Sequence, residues 1–155
     1  MTQAIMLLPI GFVRNARTAA VEDDWDAVDS RIELDTETFG PDALAGLDGF
    51  SHVEVLFHFH LLGDAKVHTG ARHPRGNLDW PRVGIFAQRG KDRPNRLGAC
   101  VCRLLAVDGT TLAVRGLDAV DGTPVIDVKP WMKGFAPRGR VREPGWAAEI
   151  MKDYW

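Results

Sequence analysis

At 155 residues with a hydrophobic fraction of 45%, the chain is long enough to bury one sizeable core and too short for two ordinary domains, so one domain over 1–155 is expected. A charged fraction of 26% beside that hydrophobic content excludes a disordered chain, and the apolar run 4–13 is too short to cross a bilayer and lacks the flanks of a targeting segment. These features predict a cytoplasmic protein with no membrane association. The net charge of -2 conceals a division: Val21 to Glu54 holds eleven acidic residues against Arg31 alone, whereas Lys66 to Arg103 holds nine Lys and Arg against Asp79 and Asp92, and Lys129 to Arg142 adds five more cations without an acid. If folding keeps those basic stretches together, they form a localised surface for an anionic partner, RNA phosphate first among them.

Strand signals dominate the chain. Ile5 to Val13 and Arg31 to Leu34 are short apolar or β-branched stretches, and His52 to Leu62 alternates so that Val53, Val55, Phe57, Phe59 and Leu61 share one face. The opposite face carries His52, His58 and His60, three imidazoles that could be structural, hydrated or functional. Pro41 to Leu47 reads as a short helix. Further strands are expected over Arg82–Gln88, Ala99–Val107, Thr111–Leu117 and Pro124–Lys129, with Asp108-Gly109 as a hairpin turn. Cys100 and Cys102, two apart, point to one strand face and read as buried free thiols, since no second pair completes a zinc site. Near the carboxy end, Pro144 suits a helix start, and Trp146, Ile150 and Tyr154 recur on one face. The fold class is therefore mostly β, a small barrel with a few short helices and no βαβ alternation.

No glycine-rich phosphate loop stands between a strand and a helix, so the common nucleotide folds lack support. Two other stretches concentrate polar groups. Gly84 to Gly98 packs Arg89, Arg93, Asn95 and Arg96 into a turn stiffened by Pro94, where Gly90 and Gly98 permit unusual dihedrals or close approach of a ligand. Gly116 to Pro130 places Asp118, Asp121 and Asp127 in or beside a turn. A metal-dependent enzyme using His52, His58 and His60 is a competing reading, although histidines on a strand face are more often satisfied by hydrogen bonds than by a metal, and no metal is expected.

Phe86-Ala-Gln-Arg89, Arg93-Pro-Asn95 and Leu117-Asp-Ala-Val-Asp-Gly-Thr-Pro-Val-Ile-Asp-Val-Lys-Pro130, together with Ile10-Gly-Phe-Val-Arg14, Leu47-Asp-Gly-Phe-Ser-His52, Phe57-His-Phe-His60 and Arg72-His-Pro-Arg75, resemble the TrmO (TsaA-like) family. The resemblance spans nearly the whole chain and is that of a divergent branch: Arg96 replaces the family's second proline, and Glu22 to Asp26 stands where a Pro-Arg-Gln element is expected. It implies a β-barrel methyltransferase that takes its methyl group from S-adenosylmethionine, acts on N6 of threonylcarbamoyladenosine next to the anticodon of tRNA, and works as a homodimer. The implied donor contacts are His60, Leu61, Arg89 and the segment Leu117, Asp118, Ala119, Val120 and Asp121, with Arg93 and Asn95 in the family's most characteristic turn. Asp118 and Asp121 are the candidates for accepting a proton, and Arg72, Arg75 and Arg96 for holding the phosphates of the tRNA anticodon loop. A small-molecule acceptor, or a barrel that binds donor or RNA without catalysis, are the alternatives.

Overall fold

Alternation of apolar and polar residues builds the molecule. A computed structural model describes residues 2–155, leaving Met1 of the expected 1–155 domain outside the described residues. Its strands are β1 (Gly11–Arg14), β2 (Asp29–Leu34), β3 (His52–His58), β4 (Ala71–Arg72), β5 (Val83–Gly84), β6 (Leu97–Asp108), β7 (Thr111–Arg115) and β8 (Pro124–Pro130). Six of them close into an antiparallel barrel in the order β1-β2-β7-β6-β3-β8, while β4 and β5 pair separately. Val13, Ile32, Val53, Val55, Phe57, Leu112, Val114 and Val125 point inward and are almost completely removed from solvent, as are Cys100 and Cys102. Each such large side chain contributes about 1.5–3 kcal/mol of burial, so the barrel interior is the stabilising unit. The outward residues of the same strands include Arg14, Asp29, Arg31 and Glu33, which pair with one another or with Arg115 across the ladder.

The ring order has a consequence for the connections. β7 and β8 are three strands apart in either direction, so the link 116–123 must cross the barrel's diameter. It does so at the rim where β1, β3 and β7 end and β2, β6 and β8 begin. The left-handed backbone of Gly116 (φ 81) turns the chain out of β7, which is why that strand stops at Arg115 rather than Leu117. Leu117, Ala119 and Val120 then seal the barrel mouth from above. Loops 15–28 and 59–96 rise from the same rim.

Four expected elements differ in extent. The strand predicted over Ile5–Val13 begins only at Gly11, because β1 runs out of partners: Gly11 is already matched to Leu34 and Val125, and Ile5, Met6 and Leu8 stay largely exposed. Arg82–Gln88 contains the two-residue β5 followed by a 3-10 turn at Ile85–Ala87, since this segment lies off the barrel and meets only β4. Pro41–Leu47 splits into 3-10 turns at Pro41–Leu44 and Leu47–Gly49, parted by Gly46 at φ 84. β3 stops at His58, four residues short of Leu62. The carboxy-terminal helix, α1 (Gly145–Ile150), starts after Pro144 and partly buries Trp146 and Ile150 of the expected face.

Gly98 is required by packing rather than by a ligand. A Cβ there would stand 2.5 Å from the Phe57 ring, so the close approach expected of this glycine is to the barrel's own largest core residue. Gly98→Ala should cost roughly 1–3 kcal/mol, the usual range for overpacking. Chemical denaturation is the measure, and most of the loss should return in the double variant Gly98→Ala with Phe57→Leu.

Candidate functional site

The crossing link carries the densest polar contacts of the rim. Asn15, the first residue after β1, is their hub: its Nδ2 donates to the Ala119 carbonyl at 2.8 Å and to Ser30 Oγ at 2.9 Å, its backbone N–H donates to Asp121 Oδ1 at 3.1 Å, and its Oδ1 accepts the Arg17 N–H at 2.9 Å. The Asp121 N–H in turn donates to the Arg17 carbonyl at 2.6 Å. Leu117, Ala119 and Val120 face the core, leaving Asp118 and Asp121 as the polar face of the link. A shallow, open groove of about 500 Å³ beside it is lined by Arg14, Asn15, Ser30 and Asp121, and touches no other candidate residue.

Asp118 is covered from two sides. Its Oδ2 accepts the Tyr154 hydroxyl, and its Oδ1 is buried without a hydrogen-bond partner. Beneath it lie Cys100, whose Sγ donates to the Gly116 carbonyl at 3.4 Å, and Cys102. Burial and then the charge of Asp118 push both thiols up, Cys102 to about 12. The same two causes, in the same order, push the Tyr154 phenol up, and Arg89 opposes them from nearby. Tyr154 thus stands at Asp118 within reach of the Arg89 charge.

The other candidate residues form a second, contiguous wall. Arg89 donates to the Ala99 carbonyl at 2.8 Å, and Arg93 donates to the Gln88 carbonyl at 2.7 Å, its guanidinium centre 6.0 Å from the centroid of the exposed Phe86 ring. Asn95 (φ 62) and Arg96 (φ 49) both take left-handed backbone. A proline could not adopt φ 49, so Arg96 permits a turn that the family's second proline would forbid. From that turn Arg96 reaches across to the Leu62 carbonyl and to Asp64 at 2.7 Å, while the Phe59 N–H donates to the Arg96 carbonyl at 2.9 Å, tying the His60-Leu61 loop to the arginine turn. Leu61 is exposed. Burial holds the His60 imidazole below its usual range against the opposing charge of Asp121, and burial followed by the Arg96 charge does the same for His58.

The three histidines do not converge. His52 and His58 open and close β3, about 20 Å apart at the usual strand rise. His52 is engaged by Ser51 Oγ at 2.7 Å, and among the described residues no three His, Cys, Asp or Glu side chains gather as a metal site. Nor do the basic stretches remain separate from the acidic one. Arg72 is paired with Asp92; Arg75 with Glu22 at 3.0 Å and Asp23 at 2.8 Å; Arg96 with Asp64; Arg103 with Asp26. Folding brings loop 15–28 against loop 59–96, so the segregation read along the chain is cancelled where Glu22, Asp23 and Asp26 meet Arg75, Lys91 and Arg103. Lys133, Arg138, Arg140 and Arg142 have no carboxylate partner among the described residues and lie exposed. Sequence reasoning missed Asn15 and Tyr154. An Asn directly after a strand was the available signal for the first, and the chain's one tyrosine carried none.

The family model described as the tRNA-methyltransferase O N-terminal domain matches residues 17–136. The human tRNA (adenine(37)-N6)-methyltransferase is 36% identical over 102 residues, covering 66% of this chain and 23% of the human protein. A probable S-adenosyl-L-methionine-binding protein of Methanothermobacter thermautotrophicus is 38% identical over 139 residues, covering 87% of this chain and 96% of the archaeal one. A crystal structure of TrmO from Pseudomonas aeruginosa superposes with a TM-score of 0.75 at 28% identity over 94% of this chain and 63% of that one. The chain therefore spans less than a quarter of the human relative's length and nearly all of the archaeal relative's.

The thiols give a direct check of the geometry beneath Asp118. With the Cys102 thiol raised from 9.0 to about 12, the thiolate fraction at pH 8 falls by roughly a thousandfold, and burial blocks the reagent as well. Native protein should leave Ellman's reagent almost unreacted at pH 8. Both thiols should titrate at once in guanidinium.

Proposed function

The chain belongs to the tRNA-methyltransferase O N-terminal domain family, and on that premise we propose that it is a methyltransferase that transfers the methyl group of S-adenosylmethionine to N6 of an adenosine next to the anticodon of tRNA, most specifically its threonylcarbamoylated form. The observation that carries this reading is the rim itself: the link 116–123, the arginine turn and the His60-Leu61 loop are gathered at one barrel mouth, where the family resemblance puts the donor.

The residues present suit that donor. Exposed Leu61 and Phe86 offer apolar faces for an adenine, the carboxylate of Asp118 suits a ribose hydroxyl or an ammonium group, and the buried, unpartnered Oδ1 is an acceptor without a donor. His60, Leu61, Arg89, Arg93, Asn95 and Leu117 to Asp121 would hold it. Bound there, S-adenosylmethionine supplies an electrophilic methyl group on a sulfonium, which leaves the protein to align the acceptor and exclude water. The proton released at the acceptor nitrogen passes to a carboxylate of the link: Asp118 and Asp121 are the two available, and Asp121 is the more open, with His60 nearby.

Arg72, Arg75 and Arg96 can grip RNA phosphate only by exchanging their present carboxylate partners, an exchange that costs little for pairs near the surface. The unpaired cations of 133–142 are available without exchange. The chain acts in the cytoplasm in this reading, and among the described residues no helix is long and apolar enough to cross a membrane. It works as a homodimer, because one small open rim is narrow for both donor and a tRNA loop.

Calorimetry should detect S-adenosylmethionine binding without added metal, and Arg89→Ala should weaken it about tenfold or more, the scale of a hydrogen bond to a charged group, with little change in Tm. Light scattering of the same samples should give about twice 17.1 kDa. No binding at millimolar donor sinks the proposal.

Cells lacking the protein should lose N6-methylated threonylcarbamoyladenosine from their tRNA and regain it on complementation, as read by nucleoside mass spectrometry. If that nucleoside persists and purified tRNA accepts no label, the acceptor is not tRNA. A barrel that binds donor without catalysis would show binding and no labelled product of any kind.

A further inference from the structure

Residues 137–155 lie beyond the stretch matched by the family model, yet they return to the candidate site. Having left β8 at the rim opposite to the link, the chain climbs the outside of the barrel through the exposed stretch 132–145, forms α1, and is fastened at three points: Trp80 Nε1 donates to Glu149 Oε2 at 2.6 Å, the Asp24 N–H donates to the Asp153 carbonyl at 3.0 Å, and the Trp25 N–H donates to the Tyr154 carbonyl at 2.9 Å. These anchors set Tyr154 over the link, where its hydroxyl donates to Asp118 Oδ2 and its ring meets Trp155 edge-on at 4.9 Å.

Tyr154 presents an aromatic ring with a hydroxyl directed at a carboxylate. A nucleoside makes the same presentation when a ribose hydroxyl donates to an acidic side chain. We propose that Tyr154 is an internal occupant of the nucleoside half of the donor site, and that donor binding requires the 144–155 strap to withdraw it from Asp118. The inference rests on the donor reading of Leu117 to Asp121. Three observations support it. Asp118 Oδ1 is buried without a partner and Oδ2 is held by the phenol, so one oxygen of this carboxylate is covered and the other occupied while Tyr154 is in place. The Arg89 charge acts on the same phenol, so Tyr154 lies near both donor-site residues. The strap is held by a few hydrogen bonds at its end: α1 is six residues long, below the length at which a helix is stable by itself, and the approach to it is exposed. A strap with few buried contacts is the kind of segment that opens locally at small cost.

A competing occupant lowers apparent donor affinity by the fraction of time the site is free. Removing the hydroxyl with Tyr154→Phe leaves Asp118 without its donor, favours the open strap, and should tighten binding of S-adenosylmethionine about tenfold by calorimetry, the gain expected if the site is free about a tenth of the time in the native chain. The second measurement uses the unaltered protein: saturating donor should raise amide hydrogen exchange over 145–155 and expose Lys152 to trypsin. If donor binds and the strap becomes more protected, or if Tyr154→Phe weakens binding, Tyr154 is a wall of the occupied site and the inference is overturned while the donor reading stands. If neither protein binds donor at millimolar concentration, the donor reading falls and this inference with it. Binding by Tyr154→Phe alone supports both.

Discussion

The structure depends on a constraint of ring closure. Six strands in the order observed put β7 and β8 on opposite sides of the barrel, and the chain must cross the mouth to pass from one to the other. A crossing segment over an apolar interior has to do two things at once: present side chains that seal the core, and satisfy backbone groups that no ladder neighbour reaches. Leu117, Ala119 and Val120 meet the first demand, and Asn15, Arg17 and Val13 meet much of the second through the carbonyl of Ala119 and the N–H groups of Asp121 and Gly122. The aspartates left on the outer face are fixed in place by the same contacts. A rigid acidic rim is therefore a by-product of closing the barrel.

Charge shows the opposite relation between chain and fold. Read in one dimension, the acidic stretch ending at Glu54 and the basic stretch ending at Arg103 look like two surfaces. In three dimensions one loop of the acidic stretch, 15–28, shares a rim with the basic loop 59–96, and there the two meet: Glu22 faces Arg75 and Lys91, Asp23 faces Arg75, and Asp26 faces Arg103. These pairs are partly exposed and each is worth little to stability. Their effect is on position: Arg75 and Lys91 hold loop 15–28 against loop 59–96, Arg17 braces it from within through the Asp23 carbonyl, and the strap finds its backbone partners there at Asp24 and Trp25. Among the described residues, the cations without a carboxylate partner include Lys66, Arg82, Arg89 and Arg93 of the basic stretch as well as those after β8.

The arginine turn combines both themes. Its left-handed residues, Asn95 and Arg96, aim one guanidinium at the His60-Leu61 loop, and its glycine, Gly98, admits the Phe57 ring. The turn is thus locked to the core on one side and to a loop on the other. A proline in place of Arg96 would need another backbone, which gives the divergent sequence at this position a structural meaning.

How much was legible divides along the range of the forces involved. Period-two alternation is a local property, and it alone determined the barrel class, the inward faces of β3, β6 and β7, the burial of Cys100 and Cys102, and the hairpin at Asp108-Gly109. The short motifs of the link and the arginine turn were equally readable, because their chemistry is written in consecutive residues. Strand ends were not, since Ile5 to Leu8 have strand composition but no remaining neighbour to pair with. The pairing of Arg72 and Arg75 was hidden for the same reason, as was the hold of Tyr154 on Asp118 across 36 positions of sequence. Sequence fixes what each side chain prefers to touch. Only tertiary structure decides which distant segment arrives to be touched, because a closed ring admits one set of neighbours and excludes the rest.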